Sequence, residues 1–339
     1  MKVAVLASPR FAIKQPFAGG LEAFVASLMA YYGSYCDVTL YAHPDSETEG
    51  NFRTFAINDS TYAQYPDIVE NDFILKCMKD IQRQGFDVIH NNSLSSIPAV
   101  WACKNQYPLL TTLHTPPYTR LKAGAELASF SPYVHYNAVS YSVAEMWRPF
   151  INDDISVIHN GIDLSAWSTQ KKQGDYAVTY GRIAPSKGID LAIHAARASG
   201  IGLKIAGPVF NQDYYKQKVA PLLSEDVEYL GHLDHPQVCD LLAGARMAVF
   251  GTRWDEPFGL STVESMATGT PVAAFNRGAF PELVSVSGGA LAKGNNVTSL
   301  AEAMNATALV PHEDIIKRAS LFPLSKMCNA YLNKLAAIA

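Results

Sequence analysis

Short apolar runs alternate with amphipathic stretches along this chain, and the alternation runs through twice. In the first half the runs are Val3–Ala7, Asp37–Tyr41, Phe86–His90, Leu109–His114 and Tyr136–Ser140. Between the first two, Leu21, Phe24, Val25 and Leu28 recur at helical spacing over Gly19–Tyr32, and a second long helix is expected over Ile68–Gln84. The pattern restarts at Ser156–Gly161 and continues through Asp175–Tyr180, Leu203–Gly207, Val227–Leu230, Ala248–Phe250 and Pro271–Phe275. Strands that alternate with helices belong in parallel sheets covered on both faces. The expected fold class is α/β, with two doubly wound, Rossmann-like domains over residues 1–155 and 156–320. The boundary is expected near 150–170, where Asn, Asp, Ser, Thr, Lys and Gln thicken. The last segment, 321–339, puts Met327, Tyr331, Leu332 and Leu335 on one helical face that needs a surface to cover it.

Composition narrows the function. With 339 residues, 48% of them hydrophobic and 17% charged, the chain is well packed and long enough for two cores. A net charge of −4 argues against nucleic acid, because phosphate backbones need clustered Lys and Arg. The two halves carry about the same small negative charge, so neither reads as a basic membrane-binding lobe. The five cysteines, Cys36, Cys77, Cys103, Cys239 and Cys328, form no C-x-x-C pair, which fits a reducing compartment. No secretory leader and no run of membrane-spanning length is legible, so a soluble, cytoplasmic protein is expected.

Open α/β sheets bind ligands beyond the carboxyl ends of their strands, so the polar residues there are the candidates. Glu256 and Glu264 bracket a strand-to-helix turn in Glu256-Pro257-Phe258-Gly259-Leu260-Ser261-Thr262-Val263-Glu264. The helix opening there presents free N–H groups and a positive dipole end, an anion site. Carboxylates on either side suit a sugar nucleotide, whose hydroxyls they can accept. The plainer reading makes Ser261-x-x-Glu264 a capping box and Glu256 a loop charge. Gly181-Arg182 through Lys187-Gly188 sets two cations beside a strand end, suited to a diphosphate or merely solvated. Gly19-Gly20 opens the first helix and lets backbone approach a phosphate, although it is no dinucleotide fingerprint. His114 ends a strand, and His90 and His159 are lesser candidates of the same kind. His232-Leu233-Asp234-His235 has a metal-like spacing without further ligands.

Taken in order, Gly19-Gly20-x-Glu22, Asn160-Gly161-Ile162-Asp163, Gly181-Arg182 through Lys187-Gly188, Glu256 through Glu264, Gly269-Thr270-Pro271-Val272 and Gly278-Ala279-Phe280-Pro281-Glu282 resemble the family 4 retaining glycosyltransferases of GT-B fold. The resemblance covers nearly the whole chain and is strongest from Ser156 to Val284. It implies two facing domains with a deep cleft, an acceptor-binding N-terminal domain, a nucleotide-sugar-binding C-terminal domain and a final helix crossing back to the first. It implies that Arg182 and Lys187 bind the donor diphosphate, helped by N–H groups at Gly20, Leu260, Ser261 and Thr262. Glu256 would hold the transferred sugar, Glu264 the ribose, main chain near Leu233 the base, and His114 would sit beside the reacting sugar. Gly19 and Gly259 complete the expected donor site.

The function expected from these positions is retaining transfer of a hexose from a nucleotide sugar, with UDP-glucose as the leading donor, to an acceptor hydroxyl. Arg182, Lys187 and the helix N-terminus would stabilise the leaving nucleotide, so neither a metal nor a cofactor is expected. A front-face attack is the favoured retaining course. Few cations and many aromatics in the first half, among them Phe11, Phe17, Tyr118 and Tyr133, favour a small soluble sugar or aglycone acceptor over an anionic lipid. A nucleotide-sugar epimerase and a catalytically silent sugar-nucleotide-binding protein are the alternatives.

Overall fold

The computed structural model describes residues 1–48, 50–57, 59–152, 154–168, 174–307 and 309–339. It contains two compact units, Met1–Asn160 with Ser325–Ala339, and Gly161–Leu324. The first is built on a seven-stranded sheet of β1 (Lys2–Ala7), β2 (Asp37–Tyr41), β3 (Asn51–Arg53), β4 (Val88–Asn92), β5 (Leu109–Leu113), β6 (Val134–Ala138) and β7 (Ser156–Val157), in the order β3-β2-β1-β4-β5-β6-β7. The second holds β8 (Ala177–Tyr180), β9 (Leu203–Ala206), β10 (Val227–Tyr229), β11 (Met247–Phe250), β12 (Val272–Phe275) and β13 (Gly289–Ala292), in the order β10-β9-β8-β11-β12-β13. Every neighbouring pair of these strands is parallel.

The central strands explain this choice. Val3 to Leu6 and Met247 to Val249 are fully buried, which requires helices on both sheet faces. In the first sheet the strand order reverses direction between β1 and β4, and in the second between β8 and β11. Such switch points leave a crevice beyond the strand ends, because the adjoining connections leave to opposite faces.

The final helix, Leu324–Ile338, belongs to the first unit. It buries Met327, Cys328, Tyr331 and Leu335, while Leu332 is half-buried. Burying each large apolar side chain here is worth roughly 1.5–3 kcal/mol. A polar chain fixes its register. Asn137 Nδ2 donates to the Tyr331 hydroxyl at 3.0 Å, Asn137 Oδ1 accepts from Thr112 at 2.8 Å, and Thr112 Oγ1 meets His90 Nε2 at 2.9 Å. The Phe24 ring packs edge-on against Tyr331 at 5.8 Å.

Two expected limits shift. Ser156–Val157 pairs with β6, opposite Asn137 and Ala138, so the first unit runs to Asn160 and not to 155. The chain returns to it at Ser325 and not at 321, because Phe322 and Leu324 are tied to Ile162 in the second unit. Ile162 N–H donates to Phe322 C=O at 3.1 Å, and Leu324 N–H donates to Ile162 C=O at 2.8 Å. Of the polar stretch at 150–170, residues 153, 169 and 170 lie outside the described residues.

Candidate active site

The second unit gathers its expected residues at the switch between β8 and β11. The loop after β8, Gly181 to Gly188, is stitched to the loop after β11. Thr252 Oγ1 and the Arg253 N–H both donate to Ser186 C=O, at 2.9 and 2.8 Å, and Arg253 forks onto Asp190 at 2.7 and 2.6 Å. Gly188 has φ +60°, and a Cβ there would lie 1.8 Å from Gly251 C=O, so only glycine lets the loops close this far. The result brings Lys187 Nζ to 2.6 Å from Glu256 Oε2. Trp254 Nε1 donates to the same oxygen at 2.9 Å. The backbone of Glu256 is held from behind, since its C=O accepts from Ala279 N–H at 2.9 Å. Arg182 stands at the same strand end, its guanidinium over the Phe210 ring at 5.0 Å.

The helix Leu260–Ala267 starts at this site. Its N-cap is Gly259, which makes no side-chain cap bond, and Ser261 is its second residue. The capping-box reading therefore fails: Glu264 lies in the second turn, too far along to reach back to the N-cap. Its Oε2 instead accepts from the Tyr180 hydroxyl at the end of β8. Burial raises the Glu264 carboxyl from its ordinary 4.5 to about 7, against the opposing effect of the Tyr180 bond. Burial and the adjoining carboxylate together push the Tyr180 hydroxyl far above its usual range. Of the three expected N–H donors, Thr262 is already engaged with Gly259 C=O at 2.9 Å, in a tight first turn. Leu260 and Ser261 remain to face an anion.

Leu233 lies half-buried beyond the end of β10. Its neighbours have local partners. Asp234 caps the next helix in a reciprocal box with Gln237, and the His235 ring packs against Trp167 at 4.3 Å.

In the first unit, Gly19 is the N-cap and Gly20 the first residue of the helix Gly20–Tyr32, beyond the end of β1. The buried Glu22 stands in that helix's first turn, with Oε2 3.3 Å from where a Gly19 Cβ would be. His114 follows β5, and its Nε2 meets Asn92 Oδ1 at 2.8 Å. Asn92 Nδ2 donates to His90 C=O at 3.3 Å, which leaves Oδ1 as acceptor and assigns the proton to His114 Nε2. Nδ1 is then a lone-pair acceptor. Burial lowers His114 to about 3, so the ring is neutral at any ordinary pH. His90 departs from expectation. It sits inside β4, fully buried between Tyr32 and Thr112, and burial lowers it too to about 3. Its place is in the network under the last helix. The His159 ring lies edge-on to Tyr141 at 5.5 Å.

Two family descriptions match in tandem, Glycosyltransferase Family 4 over residues 18–166 and Glycosyl transferases group 1 over residues 163–319. The chain belongs to the family 4 glycosyltransferases, with the GT-B fold. Glycogen synthase of Mycobacterium tuberculosis is 34% identical over 152 residues, 42% of this chain and 36% of that protein. The chain thus matches about a third of that relative's length. The putative glycosyltransferase YtcC of Bacillus subtilis is 22% identical over 90% of this chain and 83% of its own. Among solved structures, Anabaena HepE in complex with UDP-glucose superposes with TM-score 0.79 at 19% identity, covering 99% of this chain and 100% of that one. Sucrose-phosphate synthase from Thermosynechococcus elongatus superposes at 0.78 and 18% identity, over all of both chains.

Among the site residues, Tyr180 and Trp254 carried no motif of their own. The signals available were positional: one ends the strand before Gly181-Arg182, the other lies two residues before Glu256.

Proposed function

We propose that this protein transfers a hexose, with retention, from a nucleotide sugar to an acceptor hydroxyl, and that UDP-glucose is the donor. The observation that carries the reading is the joining of Lys187 to Glu256 at the switch point of the second sheet, beside a helix N-terminus and a desolvated Glu264. Arg182 and Lys187 would meet the diphosphate, with the Leu260 and Ser261 N–H groups. As the sugar–phosphate bond breaks, these four stabilise the charge growing on the leaving nucleotide, which is the form of electrostatic catalysis that acts on the transition state alone. Lys187 donates to Glu256 in the empty protein, and its flexible chain would let the ammonium turn to a phosphate oxygen when the donor arrives. Glu264 would accept from the ribose hydroxyls and Glu256 from the sugar. The neutral His114, with Nδ1 unprotonated, is suited to accept from a sugar hydroxyl and unsuited to act as a cation. Retention would follow from front-face attack, the leaving phosphate taking the acceptor proton. The relative bound to UDP-glucose supports the choice of donor.

The acceptor is proposed to be uncharged and rich in hydroxyls. The arginines beyond the strand ends of the first unit already have anionic partners. Arg10 Nε donates to Glu70 at 3.0 Å, and Arg120 pairs with Asp67 and Asn71. At these arginines an anionic acceptor would have to displace a carboxylate, whereas a polyol can bond to paired groups without doing so.

Calorimetric scanning of the protein with UDP, UDP-glucose and other UDP and GDP hexoses tests the donor through ligand stabilisation. Turnover is then followed with and without sugar acceptors. Stabilisation by UDP-glucose and acceptor-dependent release of UDP support the proposal. Product without acceptor would make the protein an epimerase, and binding without turnover would make it a silent binder.

A further inference from the structure

Glu256 is bonded unevenly. Both donors that reach its carboxylate, Lys187 Nζ at 2.6 Å and Trp254 Nε1 at 2.9 Å, converge on Oε2. Among the described residues none bonds Oε1. The Trp254 ring also faces the Lys187 ammonium, 5.5 Å from its centroid. Lys187 is a flexible chain that the donor diphosphate would draw toward itself, whereas the indole is rigid and lies on the same loop as the carboxylate it holds. A carboxylate gripped by one oxygen presents the other in a fixed direction. We propose that Trp254 is a positioning residue for the donor sugar: its indole N–H holds Glu256 so that Oε1 is the oxygen that takes the sugar hydroxyl, and keeps it there while Lys187 turns to the diphosphate. This rests on the donor reading above and adds a division of labour to it. Lys187 serves the diphosphate, and Trp254 makes the sugar half independent of where Lys187 points.

Trp254→Phe keeps a ring for Lys187 and removes the N–H. The experiment compares wild type and this variant for UDP affinity and for kcat/KM with UDP-glucose and with its 4-epimer, UDP-galactose. A hydrogen bond to a charged group corresponds to about a 10–100-fold effect. The expected result is UDP affinity unchanged within about twofold, a loss of about that size with UDP-glucose, and a smaller preference over UDP-galactose. Unchanged kcat/KM and unchanged preference overturn the inference while leaving the donor reading intact. A wild type that binds none of these nucleotides overturns the donor reading, and this inference with it. A second measurement does not depend on the variant's turnover. The Trp254 indole N–H resonance, assigned by its loss in Trp254→Phe, should move to the position of an unbonded indole in Glu256→Ala. An unmoved resonance means that the bond is absent in solution and also sinks the proposal.

Discussion

Lys187 and Glu256, which the motifs assign to the diphosphate and to the sugar of the donor, are bonded to each other across the β8–β11 switch at 2.6 Å. The pair is mostly shielded, with side chains 22% and 12% exposed. Its worth therefore lies between that of a surface pair and a buried one. Removing either partner strands the other, at a cost of about 1–3 kcal/mol. Lys187→Ala and Glu256→Ala should each lower the unfolding midpoint and reduce turnover by about 10²–10³-fold. The charge-balanced double variant Lys187→Met with Glu256→Gln separates the two effects. It should recover most of the stability and none of the activity. Recovery of turnover along with stability would show that the pair is only a brace.

Gly278 offers a second test, aimed at the backbone of the same glutamate. It has φ +55°, and a Cβ there would lie 2.3 Å from Glu256 N and 2.6 Å from Glu256 O. Both contacts are with backbone, which cannot swing aside. Gly278→Ala should displace Glu256 and cost well above the roughly 1 kcal/mol of an ordinary glycine change. Sugar transfer should fall more than UDP affinity, because the Leu260 helix and Arg182 are not touched. Parallel losses in kcat and in UDP affinity would mean that the whole loop had collapsed.

Tyr331 tests what holds the last helix. Its hydroxyl accepts from Asn137 in a site closed to water. Tyr331→Phe leaves the Asn137 amide with an unmet donor, a loss of about 1–3 kcal/mol. Hydrogen exchange should speed up first in Leu324–Ile338 and around Asn137. Unchanged protection there would place the helix's stability in its apolar contacts alone.

The sequence carried the architecture because buried parallel strands are short runs of apolar residues that few other structures accept. What escaped it were the edges. β3 (Asn51–Arg53) and β13 (Gly289–Ala292) are three and four residues long and lack the branched residues that mark a strand, so their neighbours create them. The site was legible as a set of charges and not as a set of bonds. Spacing put Lys187 and Glu256 at two loop ends, but only the closure at Gly188 makes them partners. Ser261-x-x-Glu264 has the letters of a capping box. The helix begins earlier, at Leu260 with Gly259 as its N-cap, so the glutamate points toward β8 and Tyr180. A local motif could not show that, because the deciding contact is with a strand-end residue far away in sequence. His90 misled for the converse reason. A histidine near the end of an apolar run looks available, yet β4 continues to Asn92 and buries it.

Glu264, if it contacts the ribose as proposed, gives donor binding a pH dependence with a definite sign. Burial raises its carboxyl from 4.5 to about 7. In the empty protein the folded state therefore holds a proton that the unfolded chain has released, throughout the interval between those values. Stability contributed by this residue falls as pH rises across it and is level above about 7. Donor binding runs the other way. Ribose hydroxyls donate, and an ionised carboxylate accepts them better than a neutral acid that must itself donate. Affinity for UDP-glucose should weaken as pH falls below about 7, by up to tenfold per unit. UDP-glucose is the better probe because, unlike UDP, it has no terminal phosphate titrating in this range. Isothermal titration from about pH 5.5 to about 8.5 measures the slope. Glu264→Gln should bind weakly and without slope. Tyr180→Phe removes a bond that favours the ionised form, so its break should move to higher pH. A wild-type affinity that is flat across this range, or a Tyr180→Phe break that moves to lower pH, would remove Glu264 from the nucleotide contact.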